Sequence, residues 1–182
     1  MKKAVFLDRD GVINRAKVRD GKPYPPANLV EMEILPGVQD ALNALRDAGF
    51  VLIVVTNQPD VARGTTPIET VEEINDYLQS CLPIDDFKTC YHDNDDGCDC
   101  RKPLPGALLS AAKKLDLNLS KSFMVGDRWR DVEAGQRAGC KTVFIDYEYD
   151  EKQPDSVDYR VNSLAEAALI ILEITDEKML MR

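Results

Sequence analysis

Asp8 and Asp10 stand one residue apart in Asp8-Arg9-Asp10-Gly11, directly after the apolar run Ala4-Val5-Phe6-Leu7. An apolar strand that ends in Asp-x-Asp-Gly sets two acids at the carboxyl edge of a sheet, where α/β proteins bind ligands. Two carboxylates this close repel unless a cation or a proton lies between them. Mg²⁺, a hard cation that takes carboxylate and carbonyl oxygens, meets that need. The same residue types also suit a plain turn, since Asp and Gly are common there. Further along, Thr56-Asn57-Gln58 closes a second apolar run and offers a hydroxyl and two amides as donors to an oxyanion. Arg101-Lys102-Pro103 precedes a helix start and supplies two adjacent cations able to clamp a phosphate. Val125-Gly126-Asp127 closes another run, with Asp131 one helical turn on; Asp127 there is either a functional acid or an ordinary helix cap.

A second cluster is of softer ligands. Cys90-x-His92 and Cys98-x-Cys100 bring three cysteines and the sole histidine of the chain within eleven residues. That donor set suits tetrahedral Zn²⁺. Four protein ligands leave no open position, so the site reads as structural. It would pin a polar loop that has no apolar core of its own and that leads directly into Arg101 and Lys102. The remaining cysteines, Cys81 and Cys140, read as free thiols, since an odd total of five argues against a disulfide framework.

The elements that must carry these residues alternate. Val51–Val55 is a continuous apolar run, as expected of a strand buried on both faces. Phe87–Tyr91, Ser122–Val125 and Thr142–Ile145 read as further strands. Val38, Leu42 and Leu45 mark a helix closed by Gly49. Thr70–Leu82, Gly106–Leu117, Asp131–Ala138 and Leu164–Ile174 mark others. This order predicts a mostly parallel sheet with helices on both faces, in one domain over residues 1–175, followed by a loose tail over 176–182. Two long stretches, 14–35 and 92–105, carry no periodicity and read as functional loops.

A chain of 182 residues suits one sizeable core; 44% hydrophobic and 30% charged residues are typical of a soluble protein. The net charge of −9 disfavours a nucleic-acid surface. No stretch reads as a signal peptide or a membrane span, so a cytoplasmic monomer is expected, with a small phosphorylated metabolite rather than nucleic acid or membrane as partner.

The order Asp8/Asp10, Thr56, Lys102, Asp127 along these elements resembles the haloacid dehalogenase superfamily over nearly the full chain. The resemblance implies a single Rossmann-like three-layer α/β domain without a large cap domain. It implies Asp8 as a nucleophile that takes up phosphate, and Asp10 as the acid and then the base. Mg²⁺ would be held by Asp8, the backbone carbonyl of Asp10, and Asp127, with Thr56 and Lys102 on the phosphoryl oxygens. Asp131 would orient Lys102 or a metal-bound water. The segment from Cys90 to Pro103 is similar to the zinc loop of heptose-bisphosphate phosphatases and of histidinol-phosphate phosphatases, and Ala62-Arg63-Gly64 looks like the former. Within that pattern Asn57, Gln58, Arg63, Arg101 and Arg128 fall at positions for substrate contact. A zinc-stabilised binding protein without activity is the reading from another class, and the presence of both Asp8 and Asp10 argues against it.

Overall fold

Central strands buried on both faces build the molecule. The computed structural model describes residues 1–180. The chain runs β1 (Lys3–Leu7), β2 (Lys17–Arg19), β3 (Lys22–Tyr24), α1 (Val38–Asp47), β4 (Phe50–Asn57), α2 (Ile68–Cys81), β5 (Asp86–Cys90), α3 (Gly106–Leu115), β6 (Phe123–Gly126), α4 (Trp129–Ala138), β7 (Lys141–Ile145), β8 (Tyr159–Val161) and α5 (Leu164–Leu180). Six strands form one sheet in the order β5-β4-β1-β6-β7-β8, every neighbouring pair parallel. Val5 and Leu7 of β1, Leu52 and Val54 of β4, and Val125 of β6 face one layer, with residues of α1, α2 and α5. Ala4 and Phe6, Ile53 and Val55, and Met124 face the other, against α3 and α4. The period-2 alternation therefore feeds two cores at once, which is why these strands read as unbroken apolar runs. Helix α1 shows the matching period: its buried residues are Val38, Ala41, Leu42 and Leu45.

The register sets the site. Leu7 pairs with Val54 on one side and Val125 on the other. Asp8, Thr56–Asn57 and Asp127 thus leave the sheet at the carboxyl ends of three adjacent strands, and Cys90 ends the next strand along, paired with Asn57.

Three expectations change. Residues 14–35 are not structureless: β2 and β3 form an antiparallel hairpin there, with Lys17 opposite Tyr24 and Arg19 opposite Lys22. Strands of three residues that contain Pro23 are too short and too broken to show a period. Strand β8, equally short, was hidden for the same reason. Helix α5 runs through Leu180, past residue 175 where the tail was expected to begin; Met181 and Arg182 of that tail lie outside the described residues. Among the described residues no helix is long and apolar enough to cross a membrane.

Candidate active site and cysteine cluster

Lys102 is the hub. It reaches in from the loop before α3 with 2% of its side chain exposed. Its Nζ donates to Asp8 Oδ1 (2.9 Å) and to the carbonyl of Val55 (2.6 Å), and pairs with Asp131 Oδ1 (2.6 Å). Burial opposes the ammonium charge, but Asp131 and Asp8 outweigh it and hold the Lys102 pKa above its ordinary value. Asn57 fixes the loop backbone at this point: its Nδ2 donates to the Lys102 carbonyl (3.0 Å) and its Oδ1 accepts the Lys102 N–H (3.1 Å).

Three buried carboxylates, Asp8, Asp127 and Asp131, each bring an oxygen within 4.8 Å of the others. Among the described residues Lys102 is the cation in direct ion-pair contact with them, bridging Asp8 and Asp131. Burial raises the Asp8 pKa to about 6, with Asp131 adding to the rise and Lys102 opposing it. Asp127 is pushed well above the carboxylate range, by burial first and then by Asp8 and Asp131. One Asp127 oxygen, Oδ2, accepts from the Tyr149 hydroxyl (3.0 Å); the other, Oδ1, is buried with no partner. A buried acceptor without a donor, beside a second carboxylate, suits a ligand to a cation. The donor set fits a hard divalent cation with Asp8 and Asp127 as side-chain ligands. Asp131 belongs to the carboxylate group but is already committed: its Oδ1 pairs with Lys102 and its Oδ2 accepts the Arg128 N–H (2.9 Å). That second bond caps α4, so the cap is Asp131 reaching back and not Asp127.

Glycines make the crowding possible. A Cβ on Gly11 would lie 2.0 Å from Asp127 Oδ2, and Gly11 has φ +89°, so it supplies both the turn and the close approach. A Cβ on Gly126 would lie 2.1 Å from Asp131 Cβ.

The Asp10 carboxylate is turned away from that cluster. It accepts from Gln58 Nε2 (2.8 Å), Asn14 Nδ2 (3.0 Å) and the Arg9 guanidinium (3.2 Å). Its side chain is thereby not among the carboxylates grouped around Asp127. Arg9, 1% exposed, is itself anchored on Asn75 (2.9 Å). Gln58 Nε2 also donates to Thr56 Oγ1 (2.9 Å). Asn57 and Gln58, expected to contact substrate, also have protein partners: Asn57, which lines the cavity beside Asp8, positions Lys102, and Gln58 links Asp10 to Thr56.

Beyond these residues lies a cavity of about 240 Å³, lined by Asp8, Asp10 and Lys102 and by further cations, Lys22, Arg63, Arg101, Arg128 and Arg130. Two of the arginines nominated from sequence are held by carboxylates. Arg63 is bidentate to Asp93 (2.6 and 2.7 Å), and Arg128 pairs with Glu151 (2.5 Å). Arg101 binds neutral groups only, Asn94 Oδ1 (3.1 Å) and the His92 carbonyl (3.2 Å). Two cations the sequence reading passed over also reach the cavity: Lys22 from the hairpin and Arg130 from the first turn of α4. Among the described residues neither has a carboxylate partner, and the Arg130 Nε is buried without any. Burial, then Arg101 and Arg128 nearby, lower the Arg130 pKa.

The cysteine cluster forms as expected. Cys90 Sγ lies 3.8 Å from Cys98 Sγ and 3.5 Å from His92 Nδ1, while Cys100 Sγ lies 3.2 Å from Cys90 Sγ and 3.4 Å from His92 Nδ1. Four ligands tetrahedral about one ion, with metal–sulfur near 2.3 Å and metal–nitrogen near 2.0 Å, would stand about 3.8 Å (S···S) and about 3.5 Å (S···N) apart. Only the Cys90–Cys100 separation is clearly tighter, so the four donors can hold a metal ion with little adjustment. Cys81 and Cys140 are free and outside this group. Arg63 ties the loop to the turn that follows β4 through Asp93, and Gly106 ties it to α3, its N–H donating to the Asp99 carbonyl (3.0 Å). Arg101 directly follows Cys100, and its guanidinium donates to the His92 carbonyl, so the cluster and Arg101 share one loop.

Comparison with known proteins agrees with this geometry. The chain is 33% identical over 162 residues to a protein of Helicobacter pylori named D-glycero-beta-D-manno-heptose-1,7-bisphosphate 7-phosphatase, covering 85% of this chain and 88% of that one. It is 35% identical over 178 residues to the protein of that name from Escherichia coli, covering 90% of each. The crystal structure of D,D-heptose 1,7-bisphosphate phosphatase from B. bronchiseptica, complexed with magnesium and phosphate, superposes with a TM-score of 0.80 at 31% identity, over 94% of this chain and 98% of that one. The haloacid dehalogenase-like hydrolase profile matches residues 24–139, and with these relatives it shows that the chain belongs to the haloacid dehalogenase-like hydrolase family.

Proposed function

We propose that this protein removes the 7-phosphate from D-glycero-D-manno-heptose 1,7-bisphosphate through a phosphoryl group carried on Asp8. The observation that carries the reading is the buried Lys102 bridging Asp8 and Asp131 beside an Asp127 oxygen that has no partner. Asp8 Oδ1 accepts from Lys102 and from the Arg9 N–H (2.8 Å), while Oδ2 has no hydrogen bond among the described residues. Oδ2 is then the oxygen that attacks phosphorus. As it bonds, the bond from phosphorus to the sugar oxygen breaks, and Asp10 gives that oxygen its proton. Asp10, now a carboxylate, takes a proton from the water that attacks phosphorus next. The bond to Asp8 breaks, and inorganic phosphate leaves. Gln58, Asn14 and Arg9 hold Asp10 in place for both transfers. Lys102 and Thr56 meet the phosphoryl oxygens. Mg²⁺ held by Asp8, the Asp10 carbonyl and Asp127 would screen the anionic nucleophile from the anionic phosphate.

A bisphosphate substrate is favoured by the cations that line the same cavity as Asp8. Lys22, Arg101 and Arg130 reach it without carboxylate partners, and like charges gathered this way suit a second anionic group. Arg63 and Arg128 are better read as residues that hold the wall together. Zn²⁺ at Cys90, His92, Cys98 and Cys100 would keep Arg101 and Lys102 in register. The test is a panel of kcat/KM values for heptose 1,7-bisphosphate, heptose 7-phosphate and histidinol phosphate in Mg²⁺. The bisphosphate should lead. A lead for histidinol phosphate would retain the phosphatase and reject the substrate, and no turnover of any phosphate ester would reject both.

A further inference from the structure

The segment between β7 and β8 touches the site and the β2–β3 hairpin at four places. Tyr149 donates to Asp127 Oδ2 (3.0 Å) and Tyr147 donates to the carbonyl of Gly11 (2.9 Å). The Asp150 N–H donates to the carbonyl of Gly21 at the hairpin tip (2.8 Å), and Glu151 holds Arg128. The two tyrosine rings lie 5.5 Å apart and 31° from parallel, so each supports the other.

Asp127 has little else to hold it. It stands 1% exposed among Asp8 and Asp131, whose charges repel it, and Lys102 serves those two and not Asp127. The Tyr149 hydroxyl occupies Oδ2, and the bare α-carbon of Gly11 packs against that same oxygen. Oδ1 is left as the single free donor, buried and without a partner. We propose that Tyr149 is a positioning residue that sets the Asp127 carboxylate so that Oδ1 faces the cation. Partners of this kind on a metal-binding carboxylate orient it and raise its affinity for the ion. The inference rests on Asp127 as a metal ligand. Because the same segment anchors the hairpin tip at Gly21, the hairpin that carries Lys22 is tied to the residue that fixes Asp127.

Three variants of the full chain test this, with Mn²⁺ as the probe in place of Mg²⁺. Its dissociation constant is measured without substrate, by electron paramagnetic resonance of the free ion. Tyr149→Phe keeps the ring and removes the donor, and should weaken Mn²⁺ binding roughly tenfold to a hundredfold. Its melting temperature should stay close to that of the parent. Glu151→Gln loosens the same segment without touching Asp127 and should leave the Mn²⁺ affinity unchanged. Asp127→Asn should abolish tight binding. Unchanged affinity in Tyr149→Phe, or an equal loss in Glu151→Gln, overturns the proposal while Asp127→Asn still shows the metal site to be correct. Undiminished binding in Asp127→Asn rejects the metal assignment and this inference with it.

Discussion

Replacing Lys102 with methionine is the most informative single perturbation of the frame. Methionine keeps the length of the stem and removes the ammonium. Asp8 and Asp131 then lose their shared countercharge, and the carbonyl of Val55 loses its donor, all in surroundings that exclude water. Breaking a buried ion pair by deleting one partner costs about 3–5 kcal/mol, because the other charge stays behind unpaired. At about 2–4 °C per kcal/mol for a chain of this size, the melting temperature should fall by about 6–20 °C at pH 7.5. The loss should depend on pH in a stated direction. Asp8 in the parent protein has its pKa raised to about 6, and Lys102 is among the influences that keep it from rising further. Without Lys102 the folded-state pKa climbs away from its unfolded value, so the carboxylate destabilises the fold at neutral pH and ceases to do so once protonated. The gap in melting temperature between variant and parent should therefore narrow as pH falls from 7.5 toward 5. Differential scanning calorimetry in chelator measures it. A drop under about 1 kcal/mol, the scale of an exposed pair, would refute the hub role of Lys102. So would a gap that widens on acidification.

Three further outcomes follow from the same geometry. The metal-free parent, with the Asp8 and Asp127 pKa values both raised, should gain stability from these two groups as pH falls from 7.5 through about 6; Mg²⁺ should raise the melting temperature more at pH 7.5 than at pH 5.5, and the reverse order would reject the carboxylate pair as its ligands. Gly11→Ala forces a Cβ to within 2.0 Å of Asp127 Oδ2 and strains a φ of +89°, so activity and Mg²⁺ affinity should both fall; a wild-type titration would contradict the packing described. Protein purified without chelator should hold one equivalent of zinc by elemental analysis. Cys98→Ser should lower the zinc content and the melting temperature and raise KM more than it lowers kcat, whereas zinc loss with unchanged kinetics would separate the cluster from Arg101 and Lys102.

How far the sequence discloses this site depends on where each residue's partner lies. Asp8, Thr56, Lys102 and Asp127 are legible because each sits at the end of an apolar run or just before a helix, and a parallel sheet gathers such ends at one edge. Cys90, His92, Cys98 and Cys100 are legible because all four fall within eleven residues of the chain. The wall of the cavity is not, because it depends on pairings across long stretches of chain. Arg63 and Arg128 have the residue type for binding an anion, but Asp93 and Glu151, 30 and 23 residues away, claim them. Lys22 stands in a hairpin too short for a period, and Arg130 lies in the first turn of a helix whose start was read at Asp131. Tyr149 follows β7 in a segment whose only cue is two tyrosines and a run of acids; nothing local says that one of them reaches Asp127. Asn57 and Gln58 were correctly placed at the strand end, but which group an amide serves is decided by neighbours such as Lys102 and Asp10 that no spacing reveals.

The central claim is that Asp8 itself carries the phosphoryl group. Rapid mixing of enzyme, Mg²⁺ and heptose bisphosphate, quenched in acid and followed by peptide mass spectrometry, tests it directly. The account predicts a phosphate on the peptide that contains Asp8, lost on treatment with hydroxylamine, and neither the phosphate nor turnover in Asp8→Asn. Turnover of Asp8→Asn at the parent rate, or a phosphate found on a different residue, would contradict it.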